Sequence, residues 1–258
     1  MLSQAFIIAR KEILDHVRER RSLWASLLHV LMGPVVVSLV LFSMKNAPHD
    51  KLLAVLTGMT SIFVLVSAFV GGMNVSMDML AGERERRSLL PLLLNPVAKN
   101  AVIGGKWLAG SLFAALGVVI ALGAFALAFG MAGFALPLFS ARLLFYWGIL
   151  GLLPLAGFAA ALQLTISTCC RTAKEAQTYL SLLVFVPMGI AMFLVFLASQ
   201  PPFWIFWIPI AGQQALVSAG SRLQCVSPLL LLITLWSTAM ALRYSASLLR
   251  HDEIVYGR

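Results

Sequence analysis

Five consecutive charged side chains, Glu83 to Arg87, form the densest group of potentially reactive residues in this sequence, within the segment AGERERRSLLPLLLNPVAKN at 81–100. Only 11% of the 258 residues are Asp, Glu, Lys or Arg, so these five stand out from their surroundings. Acids and arginines in alternation suit a folded protein surface better than an anionic lipid surface, which would repel Glu83 and Glu85. The alternative is a solvated turn whose charges stop the chain from entering a membrane. We call residues 83–87 the charged cluster.

The sequence contains no recognisable catalytic or nucleotide-binding motif. A phosphate-binding loop reads G-x-x-x-x-G-K-[ST], whereas the Gly-Lys pair at 105–106 is followed by tryptophan and has asparagine at the first glycine position. The motifs HExxH and GxSxG are absent. The three cysteines lack metal-ligand spacing. We therefore expect no catalytic residue, metal or cofactor on this chain.

The composition indicates a membrane protein. Hydrophobic residues make up 60% of the chain and the mean hydropathy is +0.93, whereas average soluble domains are roughly 45–50% apolar. The net charge of +9 could suit nucleic acid, but nucleic-acid-binding surfaces gather basic residues on a polar face. Here the basic residues separate long apolar runs, which argues against nucleic acid as a partner.

Six apolar runs without Asp, Glu, Lys or Arg approach or exceed the roughly 20 residues that a helix needs to cross a bilayer. They are apolar on every face, whereas a membrane β-barrel alternates apolar and polar residues with a period of two. We predict an all-α integral membrane protein of six transmembrane helices in a single domain, 1–258. The predicted spans are 23–44, 52–77, 107–136, 143–168, 179–198 and 226–242.

A seventh apolar stretch at 201–220 contains Pro209, Gly212, Gln213 and Gln214 near its middle. Polar groups left unpaired in lipid cost several kcal/mol each, so a continuous span is disfavoured. We predict instead two short re-entrant or interfacial helices on the external side, before the sixth span. The aromatic residues of the stretch agree with this position, because tryptophan prefers the headgroup level.

Lys and Arg are distributed unevenly between the loops of this topology. Fifteen of the 19 fall on the side that contains both termini, the loop after the second span and the loop after the fourth. Cytoplasmic loops carry the excess of Lys and Arg. We therefore predict that both termini and the charged cluster are cytoplasmic, and a seventh span would spoil this asymmetry.

The first 22 residues are typical of an amphipathic interfacial helix. Phe6, Arg10, Ile13 and Val17 recur at helical spacing, with Asp15 and other charged residues on the remaining faces. Such a helix lies in the membrane interface rather than across it. Anchoring is the simpler interpretation, and contact with a partner is the alternative.

Ionisable groups are scarce within the predicted spans. His29 lies in the first span and Asp78 at the inner edge of the second. Carriers coupled to protons or ions place such groups near the middle of the membrane, where the coupling ion binds. We expect the energy for any uphill transport to come from a source other than these spans.

The segment GERERRSLLPLLLNPV resembles the region after the second span of ABC exporter permeases of the type-2 class, most closely the sodium-efflux-like subgroup. The likeness continues in the amphipathic start ARKEILDHVRERRS, the GKW entry to the third span, the broken segment IPIAGQQALVSAG and the basic tail. It therefore covers nearly the whole chain. The sequence departs from the subgroup at Leu90, where an acidic residue often follows Thr-Leu, and in the short loop 45–51, where some members carry a large external domain.

The resemblance implies a permease subunit of an ATP-driven exporter in a bacterial inner membrane. Two copies would pair and dock on two cytoplasmic ATPase subunits, which bind the ATP, through a coupling helix in the segment 81–100. The implied ATPase contacts are Glu83, Arg84, Glu85, Arg86, Arg87, Leu89, Asn95 and Pro96. The implied lining of a translocation path consists of Asn74, Tyr179, Ser181 and Phe185. Each of these four residues also suits ordinary packing between membrane helices.

Two other functions stay open at this point: a self-contained secondary carrier, and a membrane scaffold or assembly factor without transport. The carrier would act alone on an ion gradient, and the scaffold would function with ATP hydrolysis blocked. Apolar spans with scattered hydroxyl groups suit ions, amphipathic drugs, peptides, lipids or a metal-cofactor precursor as cargo. The sequence selects none of these cargoes.

Overall fold

The computed structural model describes residues 2–44, 46–89, 91, 97–134, 144–197, 203–219 and 227–249. Every regular element in these ranges is helical, which confirms the all-α prediction for them. The α-helices are α1 (Leu2–Arg18), α2 (Arg20–Ser43), α3 (His49–Met77), α4 (Lys99–Met131), α5 (Leu153–Cys169), α6 (Ala173–Leu197), α7 (Ala211–Ala219) and α8 (Ser227–Leu248). A π-helix at Asp78–Gly82 and a short turn at Glu83–Glu85 extend α3, a π-helix at Leu144–Leu152 precedes α5, and a 3₁₀-helix at Phe203–Trp207 precedes α7.

Six helical segments of the described chain are long and apolar enough to cross a membrane. They correspond to α2, α3, α4, α5, α6 and α8, which confirms six candidate spans by length and composition. Several helices begin before the predicted apolar runs: α4 starts at Lys99 rather than at 107, and α6 at Ala173 rather than at 179. Helical hydrogen bonding continues outside hydrocarbon, so the apolar run marks only part of each helix.

The centre of the bundle is formed by α3, α4 and α5, and the other long helices pack around it. The helices α3 and α4 meet at Gly71 and Gly117, where a Cβ added to Gly117 would lie only 2.8 Å from the Gly71 Cα. Membrane helices associate through close van der Waals packing, and small residues permit that approach. Phe69 and Phe125 are fully buried in the largest apolar cluster.

A glutamine joins α5 to α3 inside the bundle. Ser76 Oγ donates a hydrogen bond to Gln163 Oε1 at 3.0 Å, and Gln163 Nε2 donates to the backbone carbonyl of Phe69. Gly72 leaves the room for this side chain, because a Cβ there would lie 3.1 Å from Gln163 Oε1. The hydrogen bonds satisfy a buried amide and fix the two helices in register.

The stretch between the fifth and sixth spans forms two short helices, Phe203–Trp207 and α7, rather than one long helix. Gln213 and Gln214 are fully buried on α7. Gln213 accepts a hydrogen bond from the Ile210 N–H and donates to Thr234 Oγ1 on α8, while Gln214 Nε2 donates to Ser61 Oγ on α3 at 2.8 Å. The amides therefore bond within the protein, as polar groups at membrane depth require.

The first helix, α1, packs along α4 through small side chains. Ala5 and Ala9 are buried, and a Cβ added to Gly105 would lie 2.6 Å from the Ala5 carbonyl oxygen. Phe6 and Val17, which the sequence grouped with Ile13, are instead exposed at 69% and 49%. The helix thus turns one face to the protein and a separate apolar face away from the described residues.

Candidate functional site

The charged cluster is carried by a direct continuation of α3. The helix passes through the π-helical turn Asp78–Gly82 into Glu83–Glu85 without a break. On α5, Ser167 Oγ accepts hydrogen bonds from the N–H groups of Leu80 and Ala81, at 3.3 and 3.2 Å. Single π-turns interrupt the regular hydrogen-bond ladder and occur often at functional sites. This one is held by α5.

The helical continuation ends at Arg87, whose φ of 57° lies in the left-handed region. The Ser88 N–H then bonds to the Glu83 carbonyl at 2.9 Å and closes the turn. Helical hydrogen bonding thus continues from α3 through the π-turn, and its break falls at Arg87.

Glu83 forms an ion pair inside the protein. Lys106 Nζ lies 2.8 Å from Glu83 Oε1 and 2.8 Å from Glu12 Oε1, which joins the charged cluster to α1 and α4. The Lys106 side chain is fully buried, and each carboxylate side chain is 15% exposed. Lys106 lies within α4, seven residues after its first residue, Lys99. A buried ammonium needs paired acceptors, and the two carboxylates supply them.

Arg84 caps the end of α5. Its Nη2 donates to the Thr168 carbonyl at 2.8 Å, and its Nη1 donates to the Cys170 carbonyl. The last carbonyls of a helix have no partner within the helix, and a cation near that end also complements the helix dipole. The guanidinium thus binds two carbonyls at the junction between α5 and α6.

Glu85 meets the other side of the same junction. Its Oε2 accepts a hydrogen bond from the Ala173 N–H, at the start of α6, at 2.9 Å. Nearby, Glu175 Oε2 accepts from the Arg171 N–H at 2.8 Å. Carboxylates are favourable at helix N-termini, where N–H groups are unpaired. The charged cluster therefore bonds to both ends of the α5–α6 turn.

Three other residues assigned to the ATPase contact are described by the structure, and two of them are exposed while the third is a buried leucine. Arg86 is 67% exposed and pairs with Asp78 at 3.2 Å, and the side chain of Arg87 is also exposed. Exposed pairs of this kind contribute little to stability. Leu89 is 1% exposed and belongs to an apolar cluster with Val75 and other residues. Arg86 and Arg87 are therefore the basic side chains of the cluster that face outward.

The four residues assigned to a translocation path lie in two places. Asn74 is 8% exposed, and its Nδ2 donates to Ser26 Oγ on α2 at 2.9 Å. Tyr179 and Phe185 are 51% and 66% exposed on α6, and Ser181 Oγ donates to the Gln177 carbonyl one turn earlier. Asn95 and Pro96, assigned to the ATPase contact, lie outside the described residues.

A groove of about 500 Å³ lies between α5 and α6 beside the charged cluster. Tyr179 and Glu175 line it together with Cys169, Cys170 and apolar residues of α6. Burial raises the pKa of the Cys170 thiol to about 11, with the charges of Glu175 and Cys169 acting in the same direction. The thiol is therefore protonated near neutral pH and a poor nucleophile. Within the described ranges, no three His, Cys, Asp or Glu side chains gather as metal ligands.

Sequence reasoning missed the partners of the charged cluster. Glu12 and Ser167 were not singled out, and Lys106 was noted only in the GKW entry to the third span, although it interrupts the otherwise apolar stretch IGGKWLAG. A charged residue so close to an apolar run needs a partner when it is buried, and that was the available signal. Backbone acceptors such as the Thr168 carbonyl give no signal in a sequence.

Residues 6–249 match the family described as ABC-2 family transporter protein. The chain is 34% identical over 186 residues to "ABC transporter permease protein NatB" of Bacillus subtilis (strain 168), which covers 67% of this chain and 47% of that protein. It is also similar to proteins named "Probable ABC transporter permease protein NosY" from Stutzerimonas stutzeri, 27% identical over 50% of this chain and 47% of the relative, and from Pseudomonas aeruginosa, 30% identical over 47% of this chain and 44% of the relative.

The matched regions span about half the length of these relatives. The family match, in contrast, includes all six candidate spans and the charged cluster. The resemblance to type-2 ABC permeases is thereby confirmed. The chain belongs to the ABC-2 family of transporter proteins, as a multi-pass membrane permease.

Proposed function

We propose that this chain is the permease subunit of an ATP-driven exporter and that the charged cluster receives the movement of a separate cytoplasmic ATPase. Two permease chains and two ATPase chains form the working complex. Membership of the ABC-2 family supports an ATPase partner. The scarcity of ionisable groups in the spans supports an external source of energy, because an ion-coupled carrier needs such groups at mid-membrane.

One observation carries this proposal. The end of α3 exposes Arg86 and Arg87 while Glu83, Arg84 and Glu85 bond to other helices at the same end of the bundle. A surface with exposed charges suits a polar protein partner. Internal bonds to four elements give that surface the stiffness needed to transmit a displacement, since coupling requires an element with two states that both partners bias.

The orientation follows from the distribution of basic residues. With 15 of 19 Lys and Arg on one side, both termini and the charged cluster face the cytoplasm of a bacterial cell, in its inner membrane. The exposed apolar face of α1, with Phe6 and Val17, lies in the membrane interface. The helices at Phe203–Trp207 and α7 form the external re-entrant segment.

Pairing of two chains forms the translocation path. Tyr179 and Phe185 support a role for α6 in that path, because both are exposed and share a helix. Asn74 is the weaker candidate, since its amide already bonds to Ser26 within one chain. Lipid covers the remaining apolar helix faces.

Co-purification in detergent with a nucleotide-binding chain tests the proposal. Arg86→Glu combined with Arg87→Glu should reduce recovery of the complex about tenfold or more, because like charges across an interface cost several kcal/mol. Lys51→Glu is the matched control, since Lys51 is exposed at the opposite end of α3 and should leave recovery unchanged. Reversal of Glu83 is unsuitable here, because an arginine beside Lys106 would disturb folding.

The outcomes separate this function from its rivals. Unchanged recovery after reversal of both arginines would remove the charged cluster from the ATPase interface. Movement of a solute by the purified chain alone, driven by an ion gradient, would identify a secondary carrier. Normal cellular function with ATP hydrolysis blocked would identify a scaffold.

A further inference from the structure

We propose that Arg84 and Glu85 are positioning residues that clamp the α5–α6 turn to the end of α3, so that displacement of the charged cluster moves the start of α6 with it. This inference rests on the proposed function for the origin of the displacement. The clamp itself is a property of the single chain. It gives Arg84 and Glu85 a role distinct from contact with the ATPase.

Arg84 and Glu85 form hydrogen bonds to the two ends of the α5–α6 turn. Arg84 donates to the carbonyl of Thr168 in the last turn of α5 and to the carbonyl of Cys170 just after that helix, and Glu85 accepts from the Ala173 N–H, the first donor of α6. Hydrogen bonds to charged groups are stronger than neutral ones. Arg84 and Glu85, which are adjacent at the end of α3, therefore bind two carbonyl groups and one N–H group that lack partners within a helix.

An apolar contact lies beneath these bonds. Ala81 of the π-turn, Cys170 of the α5–α6 turn and Ala176 of α6 form one buried cluster, with Ile166 packed against it. On the α5 side, Ser167 Oγ also accepts from the Leu80 and Ala81 N–H groups. The end of α3 is thus fixed to the turn by packing and by hydrogen bonds in both directions.

The contacts that α6 makes outside the clamp also determine how it follows the charged cluster. Along its length α6 packs mainly against α3 and makes far fewer contacts with its chain neighbour α5. The exposed residues Tyr179 and Phe185 follow within about three turns of the clamped end. A shift of the charged cluster is therefore expected to reach this part of α6, and the groove between α5 and α6, through Arg84 and Glu85 in addition to the packing of α6 against α3.

Hydrogen–deuterium exchange of the purified chain tests the clamp without any partner. Glu85→Ala and Arg84→Met should each accelerate exchange at the start of α6, residues 173–177, by about tenfold, the change expected when a charged hydrogen bond is lost. Glu85→Gln should keep most of the protection, because its amide oxygen still accepts from the Ala173 N–H. Arg171→Met is the matched control, since Arg171 lies in the same turn with an exposed side chain.

Equal protection in Glu85→Ala, Arg84→Met and wild type would overturn the clamp. So would a variant Glu85→Gln that exchanges as fast as Glu85→Ala, because the role would then depend on charge rather than on an acceptor oxygen. Protection lost over the whole chain in Arg84→Met would show general unfolding, and Arg84→Lys, which keeps a donor, should then restore protection of the chain including residues 173–177. Failure of that rescue would also count against the clamp.

The same measurement in the complex with the ATPase tests transmission. Adding ATP and vanadate to the wild-type complex should change exchange in both the charged cluster and residues 173–177. In the double variant Arg84→Met and Glu85→Ala, the response of the cluster should persist while the response of α6 falls by at least about half. An undiminished response of α6 would refute transmission, whereas a wild-type chain that recruits no ATPase would refute the proposed function and leave the single-chain result standing.

Discussion

Replacement of Lys106 by methionine removes the positive charge that holds two buried carboxylates together. Glu12 Oε1 and Glu83 Oε1 each lie 2.8 Å from Lys106 Nζ, so they are at most 5.6 Å apart, twice that distance. At an effective dielectric constant of about 20, two unit charges at this separation repel by roughly 3 kcal/mol. Removing one partner of a buried ion pair costs about 3–5 kcal/mol in other proteins, and both values point to a severe loss of stability.

The expected result is a fall of roughly 10 °C in the melting temperature of the Lys106→Met protein in detergent. The triple variant with Glu12→Gln and Glu83→Gln should recover most of this loss, because neutral partners leave no uncompensated charge. Lys51→Met, at an exposed site, should change stability by no more than about 0.5 kcal/mol. Wild-type stability in Lys106→Met, or a triple variant no more stable than the single one, would refute the electrostatic reasoning.

Three further predictions follow from local geometry. Gly105→Ala should destabilise the docking of α1 on α4 by about 1–3 kcal/mol, because the added Cβ would lie 2.6 Å from the Ala5 carbonyl oxygen. Limited proteolysis should then cleave α1 faster than in the wild type, and an unchanged cleavage rate would argue against the close contact. Burial lowers the pKa of His16, against the raising influence of Glu19 and Asp78, so the folded state favours the neutral ring. The contribution of His16 to the melting temperature should therefore be constant above about pH 6.5 and decline below it, because the unfolded chain takes up a proton at His16 before the folded chain does. The variant His16→Gln should lack this part of the decline. Because the pKa of Cys170 is about 11, a chain with Cys170 as its single cysteine should react with maleimide at pH 8 more slowly than one that retains the exposed Cys169 alone, and equal rates would contradict this burial.

The long helices were predictable because the bilayer imposes a simple rule. About 20 apolar residues are needed to span hydrocarbon, and six such runs correspond to α2, α3, α4, α5, α6 and α8. The break between the fifth and sixth spans was also predictable. Pro209 and the polar pair Gln213 and Gln214 oppose a continuous lipid-exposed helix, and the structure has two short helices there.

The contacts of the charged cluster were not predictable in the same way. Glu83 and Lys106 are 23 residues apart, and Glu12 lies 94 residues from Lys106. The local sequence pattern does not indicate which helix ends lie close together. The partners of Arg84 are backbone carbonyls, which every residue possesses, so no residue type identifies them. The family resemblance implied Leu89 as an ATPase contact, and within the single chain its side chain is buried.

By itself, the sequence determined the helical class, the number of apolar helices and the place of the charged cluster after the second of them. These properties depend on runs of side chains in a nearly uniform solvent, the hydrocarbon core, so local composition suffices. Only the tertiary structure decided that Glu83 neutralises a buried lysine, that Arg84 and Glu85 bind the α5–α6 turn, and that Arg86 and Arg87 face outward. A charge acts over a few ångströms in space, and which charges come that close depends on how the helices pack.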